Sequence, residues 1–136
     1  MTNVNNPEEL SAWVREQFQK ANKHLAEKGI LFESVMTEHS RYLAPYAAVW
    51  RIRAQDKHSY WVVSGDLPAD AIPLEAAADA QEAMKRFSYA WQINAENIMR
   101  ADTVDQTEEA FATLLREKAE MLYSLATDKK IWRDAT

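Results

Sequence analysis

Two alternating runs, Tyr46-Ala-Ala-Val-Trp-Arg-Ile-Arg53 and Ser59-Tyr-Trp-Val-Val-Ser-Gly65, flank the polar break Gln55-Asp56-Lys57-His58. Alternating runs with aromatic and β-branched residues on both sides of a short polar break predict a β-hairpin. With Asp56-Lys57 as a two-residue turn, Ile52 is expected opposite Trp61 and Trp50 opposite Val63. The other side then pairs Arg53 with Tyr60 and Arg51 with Val62. That register gathers two tryptophans, an isoleucine and a valine on one face and two arginines on the other. A one-residue slip would mix them. The helices are expected to pack on the Trp50, Ile52, Trp61, Val63 face.

Helix signals bracket the hairpin. Asn6-Pro7-Glu8-Glu9 reads as a helix start: Asn as N-cap, Pro at the first helical position, acids on the positive end of the dipole. Leu10, Trp13, Val14, Phe18, Ala21 and Leu25 fall on one stripe about 140° wide at roughly 100° per residue, and Gly29 is placed to end the helix in a left-handed conformation. His24 lies on the rim of that stripe, where covering Trp13 or hydrogen bonding at the edge explains it. Ile30 to Thr37 alternates as a strand, and Glu38-His39-Ser40-Arg41 reads as a polar connection. Pro45 places the start of the next strand near Tyr46.

After Pro73 there is neither proline nor glycine, so the remainder is expected to be helical. Asp79 and Glu82 offer a capping box, and Asp102-Thr103-Val104-Asp105 is the one plausible break. Ala80, Met84, Phe87, Trp91, Ala95 and Ile98 form one apolar face, and Phe111, Leu114, Leu115, Met121, Leu122 and Leu125 another. A turn at the break makes a helical hairpin in which Tyr89 is level with Lys118, and Ile131 and Trp132 are expected to dock back. The expectation is therefore an α+β fold in the order α-β-β-β-α-α: an N-terminal helix, a three-stranded antiparallel meander and a C-terminal helical hairpin. One domain spans residues 1–136, with 1–5 and 134–136 frayed.

Composition narrows function mainly by exclusion. A net charge of −5 argues against non-specific nucleic-acid binding and against an anionic membrane surface. The chain has no cysteine, so no disulfide, thiol nucleophile or thiolate metal site can form, and two glycines leave no glycine-rich phosphate cradle. No secretory signal is present and no apolar stretch approaches the roughly 20 residues of a membrane span, which predicts a cytoplasmic protein.

At Trp61-Val-Val-Ser-Gly-Asp-Leu-Pro68 and Phe87-Ser-Tyr-Ala-Trp-Gln-Ile-Asn-Ala-Glu-Asn97 the chain resembles, over nearly its whole length, a family of short bacterial proteins known as a domain of unknown function. That resemblance implies no activity. The fragment Trp61-Val-Val-Ser-Gly-Asp66 is also similar to a strand in small immunity proteins of bacterial toxin systems, which implies binding to another protein.

Candidate chemistry is sparse. The three histidines, His24, His39 and His58, lack metal-ligand spacing, so no metal and no cofactor is expected. Ser64-Gly65 lacks the surrounding glycine pattern of a nucleophile elbow, and Ser64 reads as a strand-end hydroxyl serving nearby backbone. Arg51, Arg53, His58 and Tyr60 share the expected outer face or tip of the hairpin on an otherwise acidic chain. They form a candidate binding face for an acidic partner; a solvated sheet face stabilised by Arg–Tyr pairs is the alternative. Tyr89 and Ile93, four residues apart, form a candidate partner patch. Lys118 interrupts an apolar stripe, explained by a snorkelling stem or a cation–π contact near Tyr89 and Trp91, with a buried lysine of depressed pKa as the sharper reading.

With no convergent catalytic set, the expected function is a non-enzymatic protein-interaction module, of which an inhibitor or immunity-type factor is one form. Its partner would be another protein, including a second copy of this chain as a homodimer. The alternative is a small-molecule-binding protein or enzyme with a pocket between sheet and helices into which Arg41, His39 or Lys118 points.

Overall fold

A computed structural model describes residues 6–132; the expected fraying of 1–5 and 134–136 lies outside the described residues. The fold is α+β, with an N-terminal helix, an antiparallel sheet and C-terminal helices. Two compact units divide the chain, Met1–Ala83 and Met84–Thr136.

The first unit begins with α1, Pro7–Glu27. The Asn6 side chain accepts from the Glu8 N–H at 2.9 Å and the Glu9 N–H at 3.5 Å, the cap that its position before Pro7 predicts. At the other end Ile30 N–H reaches Leu25 O and Gly29 N–H reaches Ala26 O, both at 2.9 Å, with Gly29 at φ +77°. This pair of hydrogen bonds across a left-handed residue is the Schellman closure. α1 buries Trp13, Gln17, Ala21 and Leu25, whereas Leu10 stays exposed.

The sheet has five strands where three were expected: β1 (Phe32–Val35), β2 (Arg41–Leu43), β3 (Ala47–Ala54), β4 (Ser59–Gly65) and β5 (Asp70–Pro73). Their order is β1-β3-β4-β5, with β2 also pairing β3, all antiparallel. The two additional strands span only three and four residues, too few to carry a readable alternation. β2 includes Arg41, taken above as connection, and is held as a strand by pairing Arg41–Leu43 with Val49–Ala47. β5 is an edge strand in an acidic stretch. Its Ala71 N–H is occupied by Asp70 Oδ1 at 2.8 Å and Pro73 has no N–H, so alternate positions along this edge offer no donor to another strand.

The β3–β4 register differs by one residue from the expected one. Trp50 pairs with Val62, Arg51 with Trp61, Ile52 with Tyr60 and Arg53 with Ser59. The cause is the turn. Ala54 N–H donates to His58 O at 2.9 Å and Lys57 N–H to Ala54 O at 3.0 Å, leaving a three-residue loop with Lys57 at φ +73°. A three-residue loop closed by a left-handed residue is the next most common hairpin after the two-residue one, and here a lysine occupies the position glycine usually takes. Two consequences follow. Trp50 and Trp61 lie on opposite faces of the sheet, and Tyr60 lies opposite to Arg51 and Arg53.

Both faces are buried. Ala48, Trp50, Ile52 and Val62 form one core cluster with Trp13, Ala21 and Leu25 of α1, with Phe18 set against Trp50 (ring centroids 5.2 Å apart) and edge-on to Phe32. α1 therefore packs on the Trp50, Ile52, Val62 side and not on a shared tryptophan face. On the opposite face Val49, Trp61 and Val63 are buried, and Trp61 Nε1 donates to the carbonyls of Leu74 (3.2 Å) and Ala77 (3.1 Å).

Sheet and α1 are joined by one buried hydroxyl. Ser64 Oγ donates to Gln17 O on α1 at 2.8 Å and accepts from Trp50 Nε1 at 3.1 Å. Ser64 thus serves an element 47 positions away, not the local backbone expected from its place at the strand end. Beside it, Lys20 Nζ donates to Gly65 O at 2.7 Å and Leu67 O at 2.8 Å, tying α1 to the chain leaving β4.

The second unit is a helical hairpin. α2, Ala80–Met99, starts after Asp79, whose side chain accepts from Glu82 N–H at 2.8 Å, as the capping pattern predicts. α3, Gln106–Ala126, opens with a full capping box between Asp105 and Glu108. Ser88 Oγ donates to Ala119 O at 2.7 Å, the register in which Tyr89 is level with Lys118. The buried row of α3 is Ala112, Leu115, Ala119, Leu122 and Ala126. Phe111 and Leu114, expected inside, are exposed. The alanines recur every seventh residue, and a serine hydroxyl touching a backbone carbonyl requires helices in close approach. Small residues permit that where Phe111 would not. α4, Lys129–Trp132, returns Trp132 to Leu125 O through its indole N–H at 2.9 Å, the docking expected for Trp132.

Two stability measurements check this arrangement. A Cβ on Gly65, at φ +141°, would overlap Tyr46 O and stand 2.7 Å from Ala47 Cα, so Gly65→Ala should cost about 2–5 kcal/mol in urea unfolding from backbone strain and overpacking together. Trp61→Ala should cost about 3–5 kcal/mol, and Arg53→Ala, on an exposed side chain, less than about 1 kcal/mol. Equal losses from Trp61→Ala and Arg53→Ala would contradict the burial described.

Candidate protein-binding surfaces

The hairpin tip is a closed charge network. The pairing of β1 with β3 is irregular between Phe32 and Ser34, which sets Glu33 outside the regular ladder. Its carboxylate meets Lys57 Nζ at 2.9 Å and Arg53 Nε at 3.3 Å. Asp56 caps the turn by accepting from His58 N–H at 2.8 Å and from Tyr60 Oη at 3.1 Å, with His58 Nδ1 at 3.4 Å. The hydrogen bond from Lys57 draws the Glu33 carboxyl below its ordinary pKa, and the His58 backbone N–H does the same for Asp56. Tyr60 is shifted upward, first by burial and then by Asp56. Arg51 is half-buried beside Trp61 on the ladder. Of the four hairpin residues singled out in the sequence, Arg51 and Arg53 share a face, His58 sits at the tip, and Tyr60 is brought to His58 through Asp56 on the other side.

The second surface lies wholly within the helical hairpin. Tyr89 and Ile93 of α2 are 45% and 60% exposed, so the candidate patch is solvent-facing. Tyr123 of α3, 44% exposed, sets its ring 6.2 Å from that of Tyr89. Next to this pair runs an open groove of about 640 Å³ lined by Gln92, Glu96, Arg116, Glu120, Tyr123 and Ser124. Helical spacing explains the set: residues 89, 92, 93 and 96 share one flank of α2, and 116, 120, 123 and 124 one flank of α3. Glu96 is bound to Arg100 one turn on, at 2.6 Å. Arg116, Glu120 and Tyr123 went unremarked in the sequence; they are visible there as a polar–aromatic row beside the heptad of alanines.

The remaining candidates do not converge on chemistry. His39 is exposed on a single 3-10 turn, 3.8 Å from Glu38, and Arg41 is half-buried on β2. Lys118 is half-buried on α3. His24 is half-buried on α1, and its buried Nε2 has no partner in the protein; burial and Lys28 lower its pKa against Asp70 and Glu27. Burial likewise lowers Lys20, against Asp66 and Glu16. Among the described residues no group of three or more His, Cys, Asp or Glu side chains could hold a metal ion, and no helix is long and apolar enough to cross a membrane.

The tip carboxylates carry a pH signature. Their folded pKa values are depressed, so their contribution to stability is present above the unfolded carboxylate range and is lost as pH falls through the folded values. In an NMR titration Glu33 and Asp56 should both have midpoints below an ordinary carboxylate, and Lys57→Ala should return Glu33, but not Asp56, toward its usual value.

Comparison with curated proteins and with solved structures finds no match. A domain-family model matches residues 8–132, from the first turn of α1 to Trp132, taking in both units and both candidate surfaces. The chain belongs to this family, a domain of unknown function designated DUF4826.

Proposed function

We propose that this chain is a non-enzymatic protein-binding module of the bacterial cytoplasm, of an inhibitor or immunity type, and that it meets its partner with the outer groove of the α2–α3 hairpin. One observation carries the reading: Tyr89, Ile93 and Tyr123, all substantially exposed, are aligned beside a groove of about 640 Å³. Tyrosine and arginine are the residues that most often anchor protein interfaces, and Arg116 stands in the same groove. The groove's volume also suits a small molecule, but it is an open cleft on the flank of two helices, whereas small-molecule sites enclose most of their ligand. The hairpin tip is the weaker surface for a partner, because Glu33 and Asp56 already engage Arg53, Lys57, His58 and Tyr60.

A photo-crosslinking residue at Ile93 should capture a protein in the native cell that the same residue at the exposed Glu38 does not. The purified partner should bind the wild-type chain and lose at least about tenfold in affinity with Ile93→Asp, while the thermal midpoint moves little. Partner binding that survives Ile93→Asp but is lost in Arg51→Glu with Arg53→Glu would move the interface to the hairpin.

A further inference from the structure

The two walls of the groove differ in how their charges are arranged. On α2, Glu96 precedes Arg100 by one turn, the favourable order of acid and base along a helix, and the two are bonded at 2.6 Å. On α3 the order is reversed: Arg116 precedes Glu120 by one turn. That order is the poorer one for a pair within a helix, and among the described residues these two form no ion pair with each other or with any neighbour. A guanidinium and a carboxylate, one turn apart and both facing the groove, are thus available to a second helix.

Resting on the protein-binding reading above, we infer that the groove takes an amphipathic α-helix of the partner that runs parallel to α3 and presents an acid followed four residues later by a base. The acid meets Arg116 and the base meets Glu120. In that order the partner's own pair also stabilises its helix, so one polarity satisfies both chains. The opposite polarity, with an acid-to-base order along the partner, would set base on Arg116 and acid on Glu120. Apolar side chains of the same helix cover the exposed Tyr89 and Ile93 of α2 and Tyr123 of the groove lining. From the level of Tyr89 to that of Glu96 is seven residues, about 10 Å or two turns, enough for three or four side chains of a helix to seat.

The probes are two synthetic amphipathic helices of about 18 residues with identical leucine and phenylalanine anchors. One carries Glu then Lys four residues on at the groove-flanking positions; the other has the two exchanged. Titrated into the full chain, the Glu-then-Lys peptide should shift the NMR signals of Tyr89, Ile93 and Tyr123 and bind about tenfold more tightly than its exchanged twin, since both surface charge contacts change sign when the twin lies in the same polarity. A spin label at the peptide's N-terminus should broaden signals at the Arg116 end of the groove and not at the Ser124 end. In the double variant Arg116→Glu with Glu120→Arg the preference should invert. Equal binding of the two peptides, no inversion, or the opposite spin-label polarity would overturn the inference, and so would a concentration-dependent homodimer whose interface maps to the groove. Crosslinking at Ile93 reads the protein-binding role independently of this polarity, so the polarity can fail while the protein-binding reading stands, and the two failures are distinguishable.

Discussion

Every side chain of β3 and β4 faces the way it does because of the pairing of Ala54 with His58 around a three-residue turn. Lys57 in the left-handed region closes that turn, and the alternation of the pleat carries its choice seven residues back along both strands. Trp50 is thereby sent to α1 and Trp61 to the carbonyls of Leu74 and Ala77. A sheet with a tryptophan buried on each face has no fully solvated side at its centre, and even Arg51, paired with Trp61 in mid-strand, is half-buried.

Burial on both faces makes the polar atoms inside consequential. Ser64 satisfies the indole of Trp50 and the carbonyl of Gln17 at once, in a region where an unpaired donor is costly. Gly65 follows because the backbone of Tyr46 and Ala47 comes too close for any side chain, and Lys20 then collects the carbonyls released as β4 ends. Ser64, Gly65 and the segment to Leu67 therefore form a structural joint between α1 and the sheet, which accounts for a serine–glycine pair without invoking catalysis.

The second unit uses another device. Alanine at every seventh position of α3 lets Ser88 of α2 reach a backbone carbonyl, so the two helices meet through small residues. Close helices leave shallow flanks, and larger side chains are displaced outward. Tyr89, Ile93 and Tyr123 are exposed on one flank of the pair and Phe111 and Leu114 elsewhere on α3. Exposed aromatic surface beside Arg116 and Glu120 is the observation on which the proposed docking role of this helical pair rests.

Local chemistry by itself determined the ends of helices and the class of the fold. Asn6, Gly29, Asp79 and Asp105 act within a few residues of themselves, so their roles as caps are written in their immediate neighbours. The absence of proline and glycine after Pro73 set the helical hairpin and its level, because helical periodicity is long and regular. Tertiary structure alone decided four things. The hairpin register hung on whether the turn held two residues or three, a choice made by Lys57 adopting a conformation its identity does not advertise. The short strands Arg41–Leu43 and Asp70–Pro73 exist only through their partners, being too brief to show a period. The inward row of α3 was the alanine row and not the larger apolar one, because burial there follows the distance between helices and not the hydrophobicity of single residues. Arg116 and Glu120 became a candidate contact only when α2 was laid beside them, since a groove belongs to two helices and to neither sequence alone.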